Sequence, residues 1–286
     1  MTAPLGGGEA MGRVEIPTPA PKRRRGGWVV TVLPPLLLGA ALIGVWYFIS
    51  YVVLAPRRRF LLRPPHEVAR VGFLDWDNFT EILDALWAST QVAMIGLAIS
   101  IVVGMTIAIL MSQTILIERA TYPFLVMLQA IPILAIVPLI GFWFGYGQNA
   151  RVIVCVIISL FPIIVNTLFG LQSADPAMHD LFTLEHASRA TRLRKLMLPA
   201  ALPAIFAGLR ISAGLSVIGA IVGDFFFGQG PAGIGRLLRR FGSQAQGEQL
   251  IAAVIMSSGL GVAVFLFFGW VQSRVIGKWY AAGTAL

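Results

Sequence analysis

Apolar residues in this chain form long runs rather than the alternating pattern of strands or the narrow stripes of water-facing helices. Six runs approach or exceed the roughly 20 residues that an α-helix needs to cross a bilayer. Because backbone in lipid must satisfy its own hydrogen bonds, each run is predicted to be a helix. The six predicted spans are 28–54, 84–111, 122–146, 150–171, 199–226 and 249–272.

The composition also indicates a chain surrounded by lipid. Of 286 residues, 57% are hydrophobic and 12% are charged, whereas a soluble domain carries about 25% charged residues. The net charge of +9 is divided among short patches between the apolar runs. That distribution is typical of membrane-flanking charge and argues against a nucleic-acid-binding surface. The predicted fold class is therefore an all-α integral membrane protein with about six transmembrane helices.

The ends of the chain give a predicted topology. Residues 1–26 are rich in Gly, Pro and Ala, end in a basic cluster, and are predicted to be a disordered cytoplasmic tail. The following run is too long for a signal peptide, so residues 27–286 are predicted to form one transmembrane domain. Six spans place both termini on one side. The segments on that side hold twelve Lys and Arg against eight on the other, which favours cytoplasmic termini, although Arg57, Arg58 and Arg59 fall on the outer side.

Proline and glycine mark three places inside the predicted spans. Pro132 and Pro138 interrupt the third span, where freed carbonyls need protein or a water-filled cavity nearby. This span is either a pathway-lining helix or a simply kinked one. Two small-residue pairs at a spacing of four predict close helix packing: Gly141 with Gly145, and Gly219 with Gly223.

Several chemical motifs are absent from the sequence. A phosphate-binding loop needs Gly-Lys followed by Ser or Thr, and none of the three lysines has that context. No paired-histidine zinc motif and no Gly-x-Ser-x-Gly elbow occurs. Residues 228–233 match G-x-G-x-x-G, but they follow a membrane span and contain Pro231, so an outer turn or re-entrant segment is predicted. The chain is not expected to hydrolyse ATP by itself.

The segment 172–198 is the longest connection on the predicted cytoplasmic side. Asp175 and Pro176 predict a helix start, since Asp caps free amides and Pro suits the first helical position. The chain is then apolar from Met178 to Leu184 and basic from Ser188 to Lys195. A short apolar helix exposed to cytosol is either a protein-docking element or an interfacial helix.

The same segment carries a recognisable motif. Asp180-Leu181-Phe182, His186 and Leu196-Met197-Leu198-Pro199 lie at the spacing of the EAA loop: Glu-Ala-Ala, three residues, Gly, nine residues, Ile-x-Leu-Pro. That loop marks permease subunits of binding-protein-dependent ABC importers. Flanking stretches resemble the nitrate, sulfonate, taurine and pyrimidine-precursor branch: Ile131-Pro132 to Pro138-Leu139, Trp143 to Gly147, Phe161 to Thr167, Leu198 to Pro203, and Gly208-Leu209-Arg210. The resemblance covers roughly residues 60–275.

The chain departs from the first two parts of the EAA pattern, Glu-Ala-Ala and Gly, at all four positions. Asp180 stands where Glu is usual, Leu181 and Phe182 replace two alanines, and His186 replaces the characteristic Gly. The docking surface should therefore be bulkier. His also adopts a positive φ less readily than Gly does. The resemblance implies that the following residues couple the chain to an ATPase: Asp180, Leu181, Phe182, Leu184, His186, Ala187, Ser188, Arg189 and Pro199.

The resemblance implies a type I ABC importer permease in a bacterial inner membrane, with residues 172–198 as the coupling loop. Its partners would be two cytosolic ATPases, a second and identical permease, and an extracytoplasmic binding protein or lipoprotein. It would bind no cofactor directly, because ATP is used by the partner ATPase. The cargo expected is a small organic molecule such as a pyrimidine vitamin precursor, a riboflavin-like compound or a sulfonate. The pathway candidates are Pro132, Pro138, Asn166 and Arg210.

Two other functions compete with this interpretation. An ion-driven secondary transporter usually carries ionisable residues near the bilayer midplane. The candidates are Arg210 and Asp224, and Asp224 lies 14 residues later, or about 21 Å along a helix, so it is expected at the outer boundary. An intramembrane enzyme would need a nucleophile and base or a metal set, and the sequence offers none.

Overall fold

The computed structural model describes residues 28–280, with side chains from 32 to 276. The predicted tail, residues 1–26, lies outside this part of the chain. Between residues 28 and 280 every regular element is helical and no strand occurs, which confirms the all-α prediction. The helices are α1 (Trp28–Phe48), α2 (Pro65–Ala69), α3 (Trp76–Gln113), α4 (Ile115–Ala130), α5 (Ile133–Phe144), α6 (Gln148–Gln172), α7 (Pro176–Leu184), α8 (Arg189–Arg192), α9 (Leu198–Phe226), α10 (Ile234–Ser243) and α11 (Gly247–Tyr280).

The described residues fall into two compact units, one that ends at Trp46 and one that begins at Tyr47. Most of α1 falls in the first unit, and the other ten helices of the described chain fall in the second. The described part of α1 is apolar, and Leu36, Leu38 and Leu42 are each more than 60% exposed. Lipid or another protein must cover such a surface.

The predicted spans agree with the long helices, although several helices extend beyond them. α3 begins at Trp76, eight residues before the predicted start. Asp75 caps it, because its carboxylate accepts hydrogen bonds from the amides of Asp77 and Asn78. The first turns of α3 are polar, so hydropathy detects the part that lies in lipid and not the whole helix.

The third predicted span is not one helix. α4 and α5 meet at Ile131 and Pro132 with a bend of 97°. Ile131 and Pro132 both have extended backbone, with ψ of 124° and 106°. Proline disfavours helical backbone at the residue before it, so the helix ends there and restarts at Ile133. The prediction of a single, kinked helix over 122–146 is therefore wrong, whereas Pro138 is accommodated within α5.

Contacts between helix ends define two faces of the second unit. On the first, Arg240 of α10 forms an ion pair with Glu81 near the start of α3 at 2.6 Å, and the side chain of Arg151 in α6 contacts the backbone between α9 and α10. On the second, Gln172 at the end of α6 donates to Glu118 near the start of α4 at 2.8 Å. We call these the α10 face and the α7 face. Since α4 starts on the α7 face and α6 on the α10 face, α4 and α5 together form one broken span. With five continuous candidate spans in the described chain, this gives six.

The centre of the second unit is the contact between α6 and α9. Glycines in α9 allow the two backbones to approach: a Cβ built on Gly219 would lie 2.8 Å from Cα of Cys155, and one on Gly223 would lie 3.1 Å from Cα of Arg151. Close packing at this pair of glycines is as predicted. In the other predicted pair only Gly141 is closely packed, since a Cβ built on it would lie 2.7 Å from the ring of Tyr146 and 2.9 Å from that of Phe227, whereas Gly145 ends α5 with a φ of 80° and has no neighbour within 4 Å of a built Cβ.

Candidate functional site: the α7–α8 loop and the membrane pathway

The connection from α6 to α9 contains the short helix that the sequence predicts. The carboxylate of Asp175 accepts a hydrogen bond from the amide of Ala177 at 2.8 Å. Pro176 occupies the first helical position, where its missing N–H leaves no bond unmade. The predicted cap and start of α7 are thus present, and the helix runs for nine residues to Leu184.

One side of α7 exposes apolar side chains. Met178, Leu181 and Leu184 follow at intervals of three and are 41%, 48% and 77% exposed. Asp180 is exposed beside them, whereas Phe182 is half-buried. A helix this short has little stability of its own in water. Its exposed leucines stabilise nothing unless another surface covers them.

α7 ends in a turn that explains the family's preference for glycine at position 186. The amide of Ala187 donates to the carbonyl of Phe182 at 2.9 Å, and the amide of His186 donates to the carbonyl of Thr183 at 3.1 Å. These two bonds form a Schellman motif, in which the residue after the C-cap adopts left-handed backbone. His186 does so, with a φ of 51°. The substitution of Gly by His therefore keeps the turn geometry and places a side chain where Cβ is sterically disfavoured.

The basic part of the loop is short and tied to α7. Ser188 caps α8 by accepting from the amide of Thr191 at 3.2 Å. Arg192 donates to the hydroxyl of Thr183 in α7 at 2.8 Å, so the two short helices are linked side by side. The remaining predicted coupling residues are Ala187, half-buried, Arg189, exposed, and Pro199, half-buried in the first turn of α9.

The four pathway candidates are distributed over different parts of the second unit. Pro132 forms the break between α4 and α5, and Pro138 lies inside α5. Beside the break is a cavity of about 240 Å³, whose lining includes Ile131, Pro162 and Leu215. Asn166 lies one turn after Pro162 and donates to its carbonyl at 2.8 Å. The side-chain NH₂ of Asn166 is therefore hydrogen-bonded within α6.

Arg210 lies on another side of α9, facing α11. Its guanidinium carbon is 4.2 Å from the ring centroid of Phe265, and Nη1 donates to Gln272 at 3.4 Å. These contacts hold the charge of Arg210 between α9 and α11. Arg210 also borders a largely apolar groove of about 530 Å³ between α9 and α11, which includes Gly214, Ser257 and Gly261.

Sequence reasoning missed one buried polar cluster at the α10 face. Asp224 lies at the end of α9 as expected, but its side chain is fully buried and forms an ion pair with Arg151 at 2.9 Å. Ser89 of α3 donates to the other carboxylate oxygen. Arg151 also binds carbonyls of the 228–233 segment, which is a loop, as predicted. The available signal was an arginine and an aspartate of opposite charge near adjacent ends of two antiparallel spans.

These features define a class of protein: a polytopic helical membrane protein with a broken third span and a loop helix that exposes apolar side chains. Between residues 32 and 276, no three His, Cys, Asp or Glu side chains lie close enough together to hold a metal ion. A family model described as "Binding-protein-dependent transport system inner membrane component" matches residues 85–277. The chain belongs to this family.

Curated relatives indicate the branch. The chain is 35% identical over 234 residues to the formylaminopyrimidine transport permease protein ThiX of Halalkalibacterium halodurans, covering 82% of this chain and 90% of that protein. It is 26% identical over 259 residues to a putative aliphatic sulfonates transport permease protein SsuC of Bacillus subtilis, covering 91% and 90%. It is 29% identical over 189 residues to the nitrate import permease protein NrtB of Leptolyngbya laminosa, covering 66% and 67%.

Solved structures support the fold. A bacterial ABC transporter involved in the import of alginate aligns with a TM-score of 0.60 at 14% identity, over 87% of this chain and 98% of that chain. An amino acid ABC transporter aligns with a TM-score of 0.55 at 19% identity, over 72% and 98%. The chain is therefore an ABC importer permease of the sulfonate, nitrate and pyrimidine-precursor branch, a multi-pass inner-membrane subunit with a transport role and not an enzymatic one.

Proposed function

We propose that two copies of this chain form the translocation pathway of an ATP-driven importer for a small organic substrate. A formylaminopyrimidine-like vitamin precursor is the first cargo to test, followed by riboflavin-like compounds and sulfonates. ThiX, a riboflavin transport permease and SsuC are named for such substrates. An extracytoplasmic binding protein or lipoprotein delivers the substrate at the α10 face, and both termini are cytoplasmic.

The observation that carries the proposal is the exposed apolar side of α7. It lies on the α7 face, directly after the end of α6, and its leucines Leu181 and Leu184 remain 48% and 77% exposed within the described chain. We infer that each α7 docks into a surface groove of one cytosolic ATPase. Asp180 and Arg189 make polar contacts at the rim, and ATP-driven closure of the ATPases moves α7 together with α6 and α9.

A reconstituted system tests this proposal. The chain is co-expressed with its cognate ATPase, purified and placed in proteoliposomes with the binding protein outside and ATP inside. The expected result is a complex of two permeases and two ATPases, whose ATP hydrolysis rises when the loaded binding protein is added. The chain alone should hydrolyse no ATP. The ligand that co-purifies with the stimulating binding protein identifies the cargo.

The same vesicles separate the proposal from ion-driven transport. Uptake should stop when ATP is omitted and should continue when a protonophore or sodium ionophore collapses the ion gradients. Uptake that persists without ATP and is abolished by the ionophore would establish a secondary transporter instead.

A further inference from the structure

Three membrane helices meet at the buried polar cluster on the α10 face, formed by Ser89 of α3, Arg151 of α6 and Asp224 of α9. All three side chains are at most 2% exposed. The Asp224 carboxylate lies between the other two, in an ion pair with Arg151 and accepting a hydrogen bond from Ser89. Ser89 in turn accepts from the amide of Ile234, the first residue of α10, at 2.9 Å.

Arg151 does more than neutralise Asp224. Its Nη1 donates to the carbonyl of Pro231 at 2.9 Å, and its Nη2 donates to the carbonyl of Gln229. A guanidinium has several N–H donors in a fixed fork, so one side chain can bind a carboxylate and two carbonyls together. These hydrogen bonds hold the loop from Phe227 to Gly233 against the start of α6.

The same loop also contacts α5 and Tyr146, which follows α5. The amide of Gln229 donates to the carbonyl of Tyr146 at 3.1 Å. Phe227 is fully buried, packs in one cluster with Val137 and Ile140 of α5, and meets the ring of Tyr146 edge-on at 6.1 Å between centroids. The loop is therefore in direct contact with the end of the second half of the broken span.

We propose that Ser89, Arg151 and Asp224 act as a latch that positions the Phe227–Gly233 loop, and through it α5, at the α10-face end of the translocation pathway. Charge compensation alone would need only the Arg151–Asp224 pair. The two carbonyls bound by Arg151 and the amide bound by Ser89 are what connect the pair to the loop. The transport consequence rests on the proposed function, whereas the positioning of the loop does not.

The decisive variant removes both charges. Arg151→Met alone leaves a buried unpaired carboxylate, which is expected to disrupt folding. Arg151→Met combined with Asp224→Asn removes both charges and the two hydrogen bonds from Arg151 to the loop carbonyls, and it leaves the bond from the Ile234 amide to Ser89 in place. Arg151→Lys is the second variant, because it keeps the positive charge but has no fork that can reach both carbonyls.

Hydrogen–deuterium exchange of the purified chain in nanodiscs measures the loop directly. The amide of Gln229 should exchange about tenfold or more faster in either variant than in the wild type, because losing the bonds from Arg151 makes local opening of the loop easier. Amides in the middle of α9 should be unchanged, which shows that the fold is intact. ATP-driven uptake with the partner proteins should fall by about tenfold with the loop released.

Each outcome decides the proposal. Wild-type exchange at Gln229 in a folded double variant would show that the pair serves only to neutralise charge, and the latch would be wrong. If the double variant does not fold, Arg151→Lys decides by the same criterion. If the wild-type complex shows no ATP-driven uptake, the proposed function fails, and the exchange measurement still decides whether the latch exists. Faster loop exchange with undiminished uptake would overturn the role in the pathway.

Discussion

Replacing Leu184 with alanine or glutamate should weaken the docking of this permease to its ATPase. Leu184 is the last residue of α7 and the most exposed of its three apolar side chains, at 77%. Because so little of the side chain touches its own chain, its loss should leave the membrane part of the protein unaffected. The effect of the substitution then reports the surface that covers α7 in the complex.

The expected magnitude follows from that exposure. Full burial of a leucine side chain stabilises by roughly 1.5–3 kcal/mol. About three quarters of this burial remains available at Leu184, so docking would contribute about 1–2 kcal/mol at each α7. With about 1.4 kcal/mol per tenfold change in affinity, Leu184→Ala should weaken each contact about five- to thirtyfold. Leu184→Glu should weaken it further, because an unpaired charge would be buried.

The assay is co-purification of the tagged permease with its ATPase, together with ATP-driven uptake in proteoliposomes. Leu116 provides a matched control, since it is an equally exposed leucine, at 76%, near the start of α4 on the same face but outside α7. Leu116→Ala and Leu116→Glu should leave both measurements near the wild-type values. Leu181→Glu should reduce co-purification and uptake about as much as Leu184→Glu does.

Phe182→Glu is a less clean test, because Phe182 is half-buried and its loss can also disturb α7 itself. The reasoning would be refuted if Leu181→Glu and Leu184→Glu both retained wild-type co-purification and uptake. In that case α7 would lie on the membrane surface, and another element would receive the movement of the ATPase.

Three further predictions concern the loop, the topology and the core. His186→Gly should be tolerated and change stability by at most about 1 kcal/mol, whereas a β-branched valine there should be destabilising, as thermal unfolding of both variants in detergent would show. Cysteines introduced at Ser188 and Ser243 should react with an impermeant thiol reagent from opposite sides of sealed vesicles, and labelling of both from one side would contradict the six-span topology. Gly219→Val should destabilise the α6–α9 contact by about 1–3 kcal/mol, whereas Gly214→Ala, where a built Cβ meets nothing within 4 Å, should have little effect on the unfolding temperature.

Much of this architecture is local in origin and could be predicted from the sequence. The length of the apolar runs determines where helices cross lipid. Asp175 and Pro176 determine where α7 begins, since a cap acts within one turn of its helix. Motif spacing across residues 180–199 was sufficient to indicate the family, and the family's glycine at position 186 already indicated a turn that requires positive φ.

The tertiary structure decided features that depend on contacts between distant residues. Nothing near Pro132 in sequence reports a bend of 97°, because proline permits a kink and the packing around it sets the angle. Gly145 and Gly219 each belong to a pair of glycines spaced by four, yet one ends a helix and the other allows close contact of two helices.

Arg151 is the clearest case of a role that only the tertiary structure reveals. In the sequence it is a single charge at the start of an apolar run, 73 residues from Asp224. Its function is decided by the antiparallel packing of α6 and α9, which brings the two side chains to 2.9 Å and places loop carbonyls beside them. The sequence determines which segments lie in the membrane, because hydrophobicity is a property of each residue. Partners for the buried charges are determined by the fold, because charge pairing depends on distances that no single segment contains.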